Sequence, residues 1–185
     1  MNDLTELLGR LQAGDDGARD ALFSAAYPEL RRLAHARLRD GGRNTVLDTT
    51  CLVHESYLRF VHSGELIADD RRAFFAYASQ VMRSVIVDLA RERLAQKRGG
   101  DWQAVTLSTD IADGIGGDED TVLKVHEALE VLEKIDGRLA HVTTMRYFGG
   151  YSDEEIASTL DVGARTVRRD WEQARLMLQV IFKQL

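Results

Sequence analysis

The chain has one cysteine, one proline and no long apolar run in its 185 residues. The single thiol, Cys51, excludes an internal disulfide and suits a reducing compartment. With only Pro28 to interrupt it, and with Ala, Leu, Arg and Glu abundant, the backbone is biased to helix. The expected fold class is all-α. No stretch approaches the roughly 20 apolar residues of a membrane span. The start, "MNDLTELLGR", has neither the basic opening nor the apolar centre of a signal peptide. The expectation is a soluble, cytoplasmic protein without membrane insertion. Enzyme signatures are scarce too. "HES" at His54–Ser56 is not a zinc-protease motif, because Leu58 stands where the second histidine belongs. Cys51 and His54 lie one helical turn apart, but no third group orients such a pair. His35, His62, His126 and His141 are scattered, and the "GIGG" of 114–117 follows no strand. No catalytic residue, metal or cofactor is expected.

Charge is unevenly spread. The net charge of −6 comes entirely from the middle of the chain. Residues 1–98 hold 15 basic and 14 acidic residues, residues 121–185 hold 9 and 10, and residues 99–120 hold six acids and no base. Within the first part, residues 71–98 carry 7 basic and 2 acidic residues. Local basic faces decide phosphate binding, so the acidic total does not exclude nucleic acid. The acidic stretch, with scattered glycines and little helical periodicity, reads as a linker between two helical domains, 1–98 and 121–185. It is either a solvated tether or a cover for a basic face.

Apolar spacing predicts four helices on each side. The first lies in "NDLTELLGRLQ", capped by Asn2 or Asp3. The others span about 16–39, kinked or split at Pro28, then 49–62 and 70–98. After the linker come 121–133, 137–148, 153–160 and 164–182. The last pair lies in "YSDEEIASTLDVGARTVRRDW", residues 151–171. Ser152 and Glu155 have the spacing of a capping box. Ile156, Ala157 and Leu160 form the buried stripe. Asp161 falls where a left-handed residue is wanted, and Gly163 is expected to free the turn. Val167, Trp171, Ala174 and Leu178 should face inward, leaving Arg165, Thr166, Arg168 and Arg169 outside on the first turns. A helix-turn-helix places that part of its second helix in the major groove, where arginine suits both phosphate and guanine.

"MRYFGGYSDEEIASTLDVGARTVRRDWEQARLML" resembles the C-terminal DNA-binding domain, domain four, of extracytoplasmic-function (ECF) sigma factors, the small two-domain members of the sigma-70 superfamily. "LVHESYLRF" resembles the core-polymerase-binding helix of their domain two, and "RRAFFAYASQVMRSVIVDLARERLAQKRGG" their promoter-melting helix. The motifs come in the family's order and cover nearly the whole chain. The resemblance implies a non-enzymatic subunit that binds core RNA polymerase and promoter DNA. The minus-thirty-five element would be read by Arg165, Thr166, Arg168, Arg169 and Arg175. The loop "SGELIADD", 63–70, sits where the family captures a flipped base. Arg71, Arg72, Arg83, Arg91, Arg93, Lys97 and Arg98 would track the minus-ten strand. Among Phe74, Phe75 and Tyr77, at most one is expected to touch a base. Asp88 and Glu92 are expected to pair with nearby arginines.

The polymerase-binding helix departs from the family pattern. At about 100° per residue, Leu52, Val53, Tyr57, Phe60 and Val61 form its core side. Thr50, Cys51, His54, Glu55, Leu58, Arg59 and His62 form the other, with Leu58 an apolar candidate anchor for polymerase. Most ECF factors carry two acids directly before the Leu-Val pair, and here those positions are Thr50 and Cys51. Asp48 does not replace them in position. A phosphothreonine carries about −1.5 to −2 charge, close to the missing pair, and a helix N-terminus favours it. Thr50, with Thr49 as second choice, is therefore a candidate site for a Ser/Thr protein kinase. A helix cap is the other reading of these threonines. An anti-sigma factor is a further candidate partner. Two other departures, Asp161 at the usual glycine of the turn and Asp170 beside Arg169, are expected to strain the joint and weaken the basic face. The alternative to a sigma factor is a helix-turn-helix regulator that acts without polymerase. It would not need the long basic helix 71–97. A recombinase fragment would need a catalytic Ser or Tyr among clustered arginines, and none is found.

Overall fold

The computed structural model describes residues 4–39, 49–63, 68, 70–98 and 119–184. Eight helices follow one another: α1 Leu4–Gln12, α2 Asp16–Arg39, α3 Thr49–Ser63, α4 Arg71–Arg98, α5 Glu119–Ile135, α6 Gly137–Tyr147, α7 Asp153–Leu160 and α8 Ala164–Phe182. Among the described residues there is no strand, and no helix is long and apolar enough to cross a membrane. The fold class is all-α, as composition predicted.

Pro28 neither ends nor splits α2. A proline inside a helix costs roughly 3 kcal/mol. Leu22, Ala26, Leu30 and Leu33 of the same helix are buried against α1 and α3, and a fully buried large apolar side chain returns about 1.5–3 kcal/mol. Packing therefore outweighs the local defect. Two further helix starts carry carboxylate caps that the sequence reading did not single out. Asp70 caps α4, its Oδ1 accepting from the Ala73 N–H at 2.8 Å. Asp136 caps α6, accepting from the N–H groups of Arg138 and Leu139. α5 starts earlier than its apolar periodicity indicates. Glu119 and Asp120, assigned to the linker from the sequence, form its first turn, where the helix dipole favours acids. The linker residues 99–118, the Asn2/Asp3 cap, Asp48 and most of the 63–70 loop lie outside the described residues.

The helices pack as a chain of neighbours. α1, α2, α3 and α4 pack in succession, and α5, α6 and α7 gather around α8. α4 joins the two groups, since its other side packs on α5, α6 and α7. One continuous apolar cluster results, from Leu7 and Leu8 through Phe74, Phe75, Met82 and Val85 to Phe148, Ile156, Val167 and Ala174. The helix with 7 of the 15 basic residues of 1–98 is thus packed on both sides.

Candidate nucleic-acid interface

The α7–α8 pair is built from its local chemistry. Ser152 and Glu155 complete a reciprocal capping box. Burial acts to raise the Glu155 carboxyl, but hydrogen bonds from Ser152 and the charge of Arg32 outweigh it and hold it below its ordinary value. Asp161 ends α7 with φ 54° and ψ 48°, the left-handed conformation its position required. Gly163 does not supply the turn's freedom. Its φ of −78° is open to any residue, and it is the N-cap of α8 without a side-chain bond. Asp161 makes the left-handed step alone, so the turn needs no second permissive residue. Val167, Ala174 and Leu178 are buried, and Trp171 is half-buried under the Arg146 guanidinium, 4.9 Å from its ring centre.

Arg165, Arg168 and Arg169 are exposed, and Thr166 and Arg175 half-buried, on the outer side of α8. Arg168 is anchored to the first helix, with Nε 3.1 Å from Asp153 Oδ2 and Nη2 3.3 Å from Glu154 Oε1. Asp153 also takes an ion pair from Arg146. The expectation for Asp170 holds in part, since its Oδ1 lies 3.3 Å from Arg169 Nη2. It is only 4% exposed, and its Oδ2 lies 2.6 Å from Arg138 Nη2 of α6. The carboxylate is thus shared between Arg138 of α6 and the outer Arg169.

The turn before α7 does something the sequence did not announce. Gly150 has φ 70°, and a Cβ on Gly149 would lie 2.6 Å from the Met145 carbonyl oxygen. Both glycines are needed for the tight reversal that drives Tyr151 into α4. The Tyr151 hydroxyl donates to the Phe75 carbonyl at 2.9 Å, and burial raises its pKa far above the ordinary phenol value.

The arginines of α4 are not one exposed row. Arg71 pairs with Glu29 of α2 and lies over the Phe75 ring. Arg91 pairs with Asp88, as expected for that acid, and Asp88 also takes Arg59 at 2.6 Å. Arg72 lies 3.3 Å from Asp161 and Arg93 3.5 Å from Glu119. Arg83, expected on a DNA-facing surface, is 7% exposed. Its Nε and Nη2 are 3.1 and 2.9 Å from His126 Nδ1, and Nη2 donates to the His126 carbonyl at 3.2 Å. Burial lowers its pKa, partly offset by Glu133 and Glu130. His126 is lowered by burial first and then by Arg83, against Glu130. The side chains of Lys97 and Arg98 lie outside the described residues. Phe74 and Phe75 are core residues and Tyr77 is half-buried.

On α3 the two expected sides are present, with one addition. Leu52 and Val53 are fully buried, Tyr57 and Phe60 half-buried, and Ser56 joins them at 8% by bonding the Leu52 carbonyl. Thr50 and His54 are exposed, Glu55 is intermediate, and Leu58 is 46% exposed. Arg59 is turned toward α4, bonded to Ser84 and Asp88. The first turn of α3 contains no acid. The side chains of Thr49, Cys51, Val61 and His62 lie outside the described residues, and with them the Cys51–His54 pair. Sequence reasoning missed His126, Tyr151, Asp153 and Glu119 as partners of arginines or of α4. The glycine pair of "FGGYS" was the one signal pointing to Tyr151.

Comparison with curated proteins finds no match to this chain. A family model described as "ECF sigma factor" matches residues 1–184. That match runs through both helical groups in one piece and places the chain in the ECF sigma factor family, whose members are transcription initiation factors and not enzymes, binding core RNA polymerase and directing it to promoter DNA.

Proposed function

We propose that the helices of residues 1–98 act as sigma domain two, binding core polymerase through α3 and opening the minus-ten element along α4, and that residues 121–185 act as domain four. The observation that carries the second half is the α7–α8 geometry. A capped helix, a left-handed turn and a second helix with exposed Arg165, Arg168 and Arg169 on its first turns make a helix-turn-helix that can enter the major groove. Thr166 and Arg175 flank that face. The Arg168 anchor on Asp153 and Glu154 presents its guanidinium in a set orientation, which suits bidentate contact to a guanine edge.

The polymerase contact is proposed to be incomplete until modified. Exposed Thr50 stands in the acid-free first turn of α3, where the resemblance expects two carboxylates. Losing a charged partner across such a contact costs roughly 2–5 kcal/mol when buried and less at a rim. A Ser/Thr kinase acting on Thr50, or on Thr49, would restore the charge. The test is affinity for purified core polymerase, with the parent, Thr50→Glu and Thr50→Ala compared. Glutamate supplies about half the charge of a phosphate, so a partial gain is expected for Thr50→Glu and none for Thr50→Ala. Tight binding by all three removes the charge switch and keeps the sigma assignment.

A further inference from the structure

We propose that Asp153, the first residue of α7, sets a base preference of the promoter-reading helix α8 without touching DNA. It is a positioning residue that holds the Arg168 guanidinium ready for one guanine. The inference rests on the helix-turn-helix reading of α7–α8. It goes beyond that reading by placing part of the sequence discrimination in a residue outside α8.

The Asp153 carboxylate is engaged at both oxygens. Oδ1 accepts from Arg146 Nη1 of α6, and Oδ2 lies 3.1 Å from Arg168 Nε of α8. Three helices therefore meet at one side chain. Its backbone is fixed by the capping box, since Asp153 directly follows the Ser152 cap. Arg146 is fixed from its other side, with its guanidinium 4.9 Å from the Trp171 ring centre. The side chains are 16% exposed at Asp153, 34% at Arg146 and 60% at Arg168. The line thus runs from a shielded anchor to an open guanidinium.

The donors of Arg168 divide in a useful way. Arginine has five N–H groups in a rigid fork. Asp153 takes the one on Nε, and Glu154 takes one on Nη2 at 3.3 Å. Glu154 is 69% exposed and is the weaker, screened arm. Together they hold the side edge of the guanidinium. Its outer edge, Nη1 with the remaining Nη2 N–H, is left for a pair of acceptors. Guanine O6 and N7 in the major groove are such a pair. Ordering a long side chain on binding costs affinity, and the clamp meets that cost before DNA arrives. The neighbouring arginines are placed differently. Arg169 is 71% exposed and reaches the carboxylate of Asp170 beside it at 3.3 Å, and Arg165 is exposed. They suit phosphate, whose contacts position a helix but carry no sequence information.

The test uses the full chain with core polymerase and a pool of promoter-length duplexes randomised over both promoter elements. Bound and free fractions are sequenced, which gives a base preference at every position. The parent is expected to prefer guanine at one minus-thirty-five position by roughly 5- to 150-fold, the worth of one bidentate pair. Arg168→Ala should erase that preference. Asp153→Asn keeps the size and removes the charge, and should cut the same preference by about three- to tenfold while the other positions keep parental values. In the Arg168→Ala background Asp153→Asn should change nothing further, because no guanidinium is left to position. A merely structural role would flatten all positions together and persist in that background. Either result overturns the proposal, as does an undiminished guanine preference in Asp153→Asn. If a thermal scan shows that Asp153→Asn does not fold, the exposed Glu154→Gln decides. A loss of about twofold at the same position is expected there, and no loss overturns the clamp. A parent that selects an element with no guanine dependent on Arg168 sinks the positioning role and leaves the helix-turn-helix reading standing. A parent that selects no element sinks both.

Discussion

Two sets of arginines in this molecule have the same side chain and opposite circumstances. On α8, Arg165, Arg168 and Arg169 are exposed, and the partners of the last two lie within their own helical group. On α4, Arg72, Arg83 and Arg93 are bound by the C-terminal helices, Arg83 almost completely enclosed. The difference teaches that a basic stripe in a sequence reports charge and not availability. Arginine's apolar stem and planar head let it be packed. A long helix shared by two groups has too little free surface to leave every cation in water.

The sharpest way to break the comparison is to delete one arginine from each set. Arg83→Ala removes buried hydrogen bonds to a charged donor and is expected to cost about 1–3 kcal/mol, read as a lowered urea midpoint. Arg165→Ala, at an exposed position, is expected to stay within about 0.5 kcal/mol of the parent while weakening duplex promoter binding. Equal stability losses would mean that the enclosure of Arg83 contributes nothing. A smaller effect comes from pH. His126 faces Arg83 and Arg91 from α4 and Glu127 and Glu130 from its own helix, and its pKa is lowered. Its neutral form belongs to the fold. Its contribution is present above the ordinary histidine value of about 6.5 and is lost as pH falls from there through the lowered one. The urea midpoint should fall as pH drops below about 6.5 in the parent and hold steady in His126→Gln; a fall in both would assign the change to other groups. The smallest effect sits in the α7–α8 turn. Gly163 caps α8 without a side-chain bond, and the space a Cβ would occupy there is open. Gly163→Ser is expected to stabilise the C-terminal group by a few tenths of a kcal/mol, seen as a small rise in its thermal midpoint.

Much of the fold was legible because helix signals are local. The Ser152–Glu155 box, the left-handed Asp161, the Asp70 start of α4 and the inward Val167, Ala174 and Leu178 all follow from neighbours within a few turns. The outer face of α8 was legible for the same reason, as the complement of a clear apolar stripe. Three details turn on distant contacts. Pro28 is carried through by packing on α1 and α3. Asp170 turns inward because Arg138 of α6 awaits it. Arg83 is taken by His126, 43 residues away across the linker, and no periodicity within α4 could announce a partner on α5.

The sequence by itself determined that this chain is helical, that it has two helical groups around an acid-rich connection, and that its last pair of helices presents arginines outward. These are consequences of spacing, caps and composition, which act over a turn or two. Only the tertiary structure decided which arginines are in water. Burial and ion pairing depend on what the rest of the chain brings alongside, and here the glycine pair before α7 sends Tyr151 into α4 while α5 lays His126 over Arg83.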